Sequence, residues 1–317
     1  MPRVLFLGPP MEDYLADSLL HGLKTLLGAD VVDSPRRDSL YRDFPSERVG
    51  ELYGRGFSLY SGLLDDESID RERPLERAAG GEFDLVVVGD IWRRAEAWRV
   101  LASRAGRVEV AVLDGGDYPR PWPYGRPALR HLFAPRPWRR ARFFKRELTP
   151  VTERWARGGS VHEIAFSFPE EKVIADAGGE RPNLLSTHVV DEEVAAAVGR
   201  AGTGYAFATE QEYYDDLRSA RFAVTVKRAG WESLRHYEIA ANGAIPCFRG
   251  LDAKPARCAP HGLRDGVNCV AYLSATELLA RLKSMPIEVE RELRAGTLAW
   301  ARANTTTARA AAFLRAG

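Results

Sequence analysis

Arg235 and Glu238 stand three positions apart in KRAGWESLRHYEIAANGAIPCF, residues 227–248, so on a helix they share one face. Lys227 and Arg228 precede them, separated by a Trp-Glu-Ser turn. A helix that needs only to pack would not begin with Arg235, His236 and Glu238. A helix N-terminus offers free amides and partial positive charge, which favour an anion. Lys227, Arg228 and Arg235 add formal charge, and together these features suit a diphosphate. A carboxylate one turn inside the helix cannot welcome phosphate, but it can accept two hydrogen bonds from a ribose diol. Phosphates plus a ribose make a nucleotide. The plainer alternative is a capped helix whose Arg235–Glu238 pair is a surface ion pair worth about 0.3–0.5 kcal/mol.

Other residues with chemical potential are scattered. RVEVAVLDGGDY (107–118) reads as a strand running into Asp114, Gly115, Gly116 and Asp117. In open α/β sheets ligands bind beyond the carboxyl ends of strands, so both aspartates are site candidates, with a solvated turn as the alternative. LYGRGFSLYSGLL (52–64) sets Tyr53, Phe57 and Tyr60 among glycines, as a binding loop or as a flap over a sheet edge. Residues 119–147 carry nine Arg and Lys against Glu147 alone, with Trp122 and Trp138 among them. Such a stretch, including Lys145 and Arg146, suits an anionic partner, or forms a solvated face with Arg stems over aromatics.

The elements that must position these residues are legible from periodicity. RVLFLG (3–8) reads as a buried parallel strand, Leu15 to Leu27 as a helix stopped by Gly28, and ADVVD (29–33) as a second strand. FDLVVVGD (83–90) is the clearest strand, a helix is expected over 92–104, and HEIAFSFP (162–169) ends the first half. The pattern then restarts: a strand and loop at 181–190, a helix at 191–199, a strand at 204–209, a helix at 210–220 and a strand at 221–227. IAANG (239–243) closes a short helix, 244–248 enters the next strand, and ERELRAGTLAWARANTTTARAAAFLRAG (290–317) reads as one or two closing helices. The expected fold class is α/β, with two Rossmann-like domains, residues 1–169 and 170–317, facing each other.

Bulk properties exclude more than they assign. The 317 residues are 45% hydrophobic and 28% charged, with a net charge of +1, ordinary for a globular protein. No apolar run approaches the roughly 20 residues of a membrane span. The start, MPRVLFLGPPMED, is too soon interrupted for a signal peptide, so a cytoplasmic place is expected, with a peripheral one at a membrane open. Cys247, Cys258 and Cys269 are odd in number, which argues against a disulfide framework. Only Cys258 and His261 approach zinc-ligand spacing, and no metal site is expected. Neither G-x-G-x-x-G nor G-x-x-x-x-G-K-[ST] is present, which weighs against a nicotinamide dehydrogenase or a P-loop enzyme.

RHYEIAANGAIP (235–246) resembles the Arg-x-x-Glu-Ala-x-x-x-Gly-x-x-Pro element of GT-B glycosyltransferases, above all the exostosin-like and spore-protein-like group 1 branches. The resemblance is strongest over 204–250. LDGGD (113–117) and FFKRE (143–147) resemble segments of bacterial members less specifically. Related branches carry a further glutamate eight residues before Glu238, where this chain has Gly230; the nearest acid is Glu232.

The resemblance implies a nucleotide-sugar donor held by the C-terminal domain and an acceptor on the N-terminal one. Glu238 then takes the place of the ribose-binding glutamate and Arg235 that of the basic residue near the diphosphate. Ser233 and Leu234 take the place of the loop whose amides face it, with Lys227, Arg228 and His236 alongside. The leaving diphosphate would be stabilised without a metal, or any other cofactor, by Arg235, Lys227 and Arg228. Were the anomeric centre inverted, a base would be needed, and Asp114 and Asp117 are the acids named for it, with His236 and His188 as further candidates. Tyr53, Phe57 and Tyr60 would stack on an acceptor, and Lys145 and Arg146 would hold an anionic or lipid-linked one. A nucleotide-sugar epimerase of the same fold, a nucleic-acid-binding protein using residues 119–147, and a non-catalytic sugar-binding partner are the alternatives. An Asp-x-Asp metal site fits poorly, because Asp114-Gly-Gly-Asp117 has one residue too many.

Overall fold

A computed structural model of the chain describes residues 1–52, 59–65, 68–103, 108–124, 133–176, 178–200 and 207–316. It forms two compact units: Met1–Pro169 with Arg257–Ala259 and Thr306–Gly317, and Glu170–Ala256 with Pro260–Thr305. Both are α/β units built on parallel sheets, the class read from the sequence.

The first unit carries six strands: β1 (Val4–Leu7), β2 (Val31–Ser34), β3 (Leu85–Val88), β4 (Glu109–Asp114), β5 (Arg142–Lys145) and β6 (Val161–Glu163). Their order is β2-β1-β3-β4-β5-β6, all parallel. The central strands are apolar throughout, as a sheet covered on both faces requires. Helix α1 (Tyr14–Leu27) starts where the Asp13 carboxylate accepts from the amides of Leu15 and Ala16, and stops at Gly28, whose φ is 55°. Leu15, Leu19, Leu20 and Leu23 form its buried stripe. Helices α2 (Pro74–Ala79), α3 (Ala95–Ser103) and α4 (Pro150–Trp155) complete the middle of the unit.

The second unit has four strands, β7 (Asn183–Leu185), β8 (Ala220–Thr225), β9 (Ile245–Arg249) and β10 (Val270–Tyr272), side by side in chain order. Helices α5 (Glu192–Ala197), α6 (Glu210–Ser219), α7 (Leu234–Ala241), α8 (Ala275–Ser284) and α9 (Ile287–Ala303) belong to it. The strand expected at 204–209 falls largely outside the described residues, and its described part, 207–209, is not strand.

The chain's end departs from the expectation of a second domain running to residue 317. Helix α10 (Thr306–Arg315) belongs to the first unit, where it packs on α1. Gly22 permits this contact, since a Cβ there would lie 2.0 Å from the Thr306 carbonyl oxygen. Buried His21 Nδ1 sits 2.9 Å from Thr306 Oγ1, and the Thr306 amide donates to the Phe168 carbonyl. These buried polar groups find partners only if the helix returns.

Strand β5 was also unexpected. It lies inside the basic stretch, where Phe143, Phe144 and Lys145 are buried. Trp122 and Trp138 are buried with it, so this part of 119–147 is core and not a solvated basic face. No helix among the described residues is long and apolar enough to cross a membrane.

Candidate functional site

In the second unit the chemistry gathers where β8 ends and α7 begins. Lys227 and Arg228 are exposed in the connecting loop, with the Lys227 ammonium 5.6 Å from the centre of the Trp231 ring. Ser233 is the residue preceding α7, and its side chain makes no capping hydrogen bond. The first-turn amides are thus not satisfied by their own cap, the condition under which a helix start accepts an anion.

Glu238 lies one turn inside α7 and is 8% exposed. Its Oε2 accepts from the Tyr213 hydroxyl over 3.2 Å, while Oε1 has no hydrogen-bond partner among the described residues. Burial pushes its carboxyl up to about 7, against an opposing pull from Arg235 and a further push from Glu210. Glu210 is itself held by Lys172 at 2.8–2.9 Å and by the Tyr214 hydroxyl at 3.0 Å. Helix α6 supplies Glu210, Tyr213 and Tyr214, its start capped by Thr209, which accepts from the Glu212 amide.

Arg235 is placed differently from the expectation. Its Nε donates to the Val224 carbonyl (2.9 Å), Nη1 to the Tyr213 hydroxyl (2.7 Å) and Nη2 to the His188 carbonyl (2.6 Å). The guanidinium ties β8, the loop after β7 and α6 together, with three of its five N–H donors bonded to the protein. His236 is likewise structural. It is fully buried, 2.9 Å from Thr225 Oγ1 through Nδ1 and 3.1 Å from the Trp231 carbonyl through Nε2. Leu234 packs its side chain inward. His188 is half-buried, and burial with Arg235 and Arg228 nearby pushes its imidazole down to about 4.

The Gly of the 235–246 element has a structural cause. Gly243 ends α7 with φ +73°, and a Cβ there would meet Arg181 Nη2 at 2.5 Å and Ile174 Cδ1 at 2.6 Å. Only glycine tolerates both the left-handed conformation and the contact.

In the first unit, Asp114 is fully buried and carries no free oxygen. Oδ1 accepts from Trp92 Nε1 (2.8 Å), the Gly116 amide (3.1 Å) and Lys145 Nζ (3.2 Å), and Oδ2 from the Trp122 amide (2.9 Å). It organises the turn after β4 and cannot reach an acceptor as a base. Lys145 is fully buried against it, burial pushing its ammonium down, so it does not present a charge to an acceptor. Arg146 is 3% exposed and pairs with Asp117, with Glu147 and with the Gly115 carbonyl. Asp117 is partly exposed. Tyr60 is fully buried, its hydroxyl donating to the Ser167 carbonyl over 2.7 Å, and is no stacking platform. Tyr53 and Phe57 lie outside the described residues.

A different acid cluster stands where ligands are expected. The chain leaves β1 for β2 on one side and returns to β3 on the other, so the strand order reverses between β1 and β3, the position of ligand crevices in such sheets. Asp90 follows β3 there, 3% exposed, and its carboxyl is pushed up to about 6, first by burial and then by Asp13. Arg93 Nη1 bridges the two, 2.6 Å from Asp90 Oδ2 and 3.2 Å from Asp13 Oδ2. Asp90 ends the clearest strand in the sequence, which was the available signal. Tyr213 had none, since nothing in the spacing links it to a glutamate 25 residues on.

Among the described residues no group of three or more His, Cys, Asp or Glu is arranged to hold a metal ion. None of the three cysteines is in a disulfide, and all are buried.

No protein-family model matches the sequence, and no curated protein does either. Solved structures do match. Anabaena HepE in complex with UDP and glucose is 12% identical with a TM-score of 0.57, covering 100% of both chains. The N-terminal domain of Candida albicans trehalose-6-phosphate phosphatase is 10% identical (TM-score 0.54), covering 99% of this chain and 96% of its own. A UDP-forming α,α-trehalose-phosphate synthase from Burkholderia xenovorans is 12% identical (TM-score 0.51), covering 99% and 98%. At such identities the likeness is one of fold, and that fold is the GT-B fold of glycosyltransferases.

Proposed function

We propose that the protein is a glycosyltransferase that takes a nucleoside-diphosphate sugar as donor, without a metal ion, and transfers the sugar to a hydroxyl acceptor. The observation that carries this reading is Glu238. It is a buried carboxylate with one oxygen fixed by Tyr213 and the other without a partner among the described residues. It stands one turn behind a helix start without a side-chain cap, beside two exposed cations.

In the reaction, the bond between the sugar's anomeric carbon and the diphosphate oxygen breaks, and its electron pair leaves with the diphosphate. Lys227, Arg228 and the first-turn amides of α7 stabilise that charge. Arg235 is a positioning residue, aligning Tyr213 and hence Glu238. The acceptor oxygen forms the new bond and loses a proton. Asp117, exposed and engaged by Arg146 through Oδ1, takes the place of Asp114 as the base we assign. An anionic or lipid-linked acceptor and a cytoplasmic setting complete the proposal.

HepE has been solved with UDP and with UDP-glucose, so UDP is the first nucleotide to try. Calorimetry with UDP, GDP, dTDP, ADP and CMP, each with and without Mg2+, tests the reading. One nucleoside diphosphate is expected to bind without metal. Binding by none, or only with Mg2+, overturns it. Asp117→Asn is expected to lower turnover by about 100-fold or more while leaving nucleotide affinity unchanged.

A further inference from the structure

The second unit has a cavity of about 1000 Å3 that the nucleotide reading does not use. It lies at the amino-terminal edge of the sheet. Arg221 is the second residue of β8, and Arg181 precedes β7 and donates to the Asn242 carbonyl just before β9. The strands are parallel and β8 has six residues, so this edge is roughly 20 Å from the start of α7.

The charge lining it is unbalanced. Among the described residues, five guanidiniums line the cavity (Arg181, Arg221, Arg291, Arg294 and Arg302) against three carboxylates, a surplus of two. Glu290 is 1% exposed and is shared between Arg221 and Arg294. Asp176 and Glu180 are exposed on another wall. Arg181 is 8% exposed and has no carboxylate partner among the described residues; Nη1 and Nη2 donate to the carbonyls of Leu217, Ala220 and Asn242. Its Nε, like that of Arg294, is buried without a hydrogen bond. Burial pushes the Arg181 guanidinium down to about 10, with Arg294 and Arg218 adding to it. A buried cation with an orphaned donor is costly unless an anion completes it. Ile287, Ala295 and Leu298 line the same cavity and give it an apolar side.

We infer that this cavity binds a phosphomonoester, its dianionic phosphate received by Arg181, Arg294, Arg291 and Arg302 and its organic body laid against the apolar side of α9. The surplus of two charges matches the roughly −1.5 to −2 of a phosphomonoester at neutral pH. Guanidiniums suit phosphate because they donate in pairs. The site is separate from the nucleotide site and does not rest on the glycosyltransferase reading. The phosphate reaches it either on a soluble metabolite or on a lipid headgroup; Ile287 and Val289, both exposed on α9, would meet a bilayer in the second case.

Inorganic phosphate, titrated calorimetrically into the full chain at constant ionic strength, is the first probe. Saturable binding is expected, with affinity lowered at least about tenfold in an Arg291→Ala/Arg302→Ala double variant. These side chains are exposed, so the variant is expected to fold. Lys227→Ala/Arg228→Ala is expected to bind phosphate as the wild type does, and Glu290→Gln to bind it more tightly. Cosedimentation with phosphatidic-acid vesicles, against phosphatidylcholine vesicles, and titration with glycerol 3-phosphate distinguish the two sources; binding in either supports the site. No binding of any of the three probes, or equal affinity in the Arg291→Ala/Arg302→Ala variant, overturns it.

Discussion

The hydroxyl of Tyr213 donates to Oε2 of Glu238 over 3.2 Å, from one helix of the second unit to the next. The same hydroxyl accepts from Arg235 over 2.7 Å. Arg235 and Glu238, adjacent on one helix face, are thus joined through a third residue and not by an ion pair. The cation is absorbed by the scaffold and the carboxylate is left with one oxygen to offer. This divides the two residues into a positioning one and a ligand-binding one.

The titration of Glu238 gives a stability signature. Its carboxyl is at about 7 in the folded protein against an ordinary 4.5. The folded state therefore holds this proton more tightly than the unfolded state. The contribution is full below pH 4.5 and is lost as pH rises through about 7. Asp17 and Asp90 are raised in the same direction, so the wild type alone does not isolate the effect. The difference between wild type and Glu238→Gln does. Denaturation at pH 5 and pH 8 is expected to show the Gln variant gaining on the wild type at the higher pH. A constant difference across that range would contradict the burial of this carboxyl.

Arg235→Met removes three hydrogen bonds from a charged donor. It is expected to destabilise the protein by about 2–4 kcal/mol, read from the denaturant midpoint, with Arg235→Lys recovering little. Nucleotide affinity in the folded Lys variant is expected to fall only a fewfold, because Arg235 touches Tyr213 and not the ligand. A loss as large as that for Glu238→Ala would return Arg235 to the diphosphate.

Asp114 and Lys145 form a fully buried pair at the carboxyl end of the first sheet. Asp114→Ala is expected to cost about 3–5 kcal/mol, since it strands the lysine. Asp114→Asn combined with Lys145→Met is expected to recover much of that stability. Nucleotide affinity of the folded protein is expected to be unchanged in both.

Gly243→Ala is expected to destabilise by about 1–2 kcal/mol from its left-handed backbone alone, and further through the contact with Arg181. Thermal melts of Gly243→Ala with and without Arg181→Met separate the two contributions.

The sequence was most legible where one physical rule acted alone. Strands β1 and β3 are buried on both faces and read as unbroken apolar runs. Helix α1 carried both its stripe and its stop. Glu238 was legible because a carboxylate beside three cations asks for a reason. The rest needed partners distant in sequence. Phe143-Phe144-Lys145 reads as basic surface until Asp114 is placed beside it, 31 residues away. Tyr60 reads as a loop aromatic until the Ser167 carbonyl accepts its hydroxyl, 107 residues on. The return of α10 to α1 hangs on Gly22 and on His21, the latter 285 residues from the threonine they meet.

The most direct test of the central claim is calorimetric binding of UDP to the wild type and to Glu238→Ala, without metal. Measurable binding by the wild type is expected, with a loss of about 1–3 kcal/mol, roughly 5- to 150-fold, in the variant, from the hydrogen bonds of the ribose diol. Equal affinity for UDP in the two folded proteins would remove Glu238 from the ribose and contradict the account.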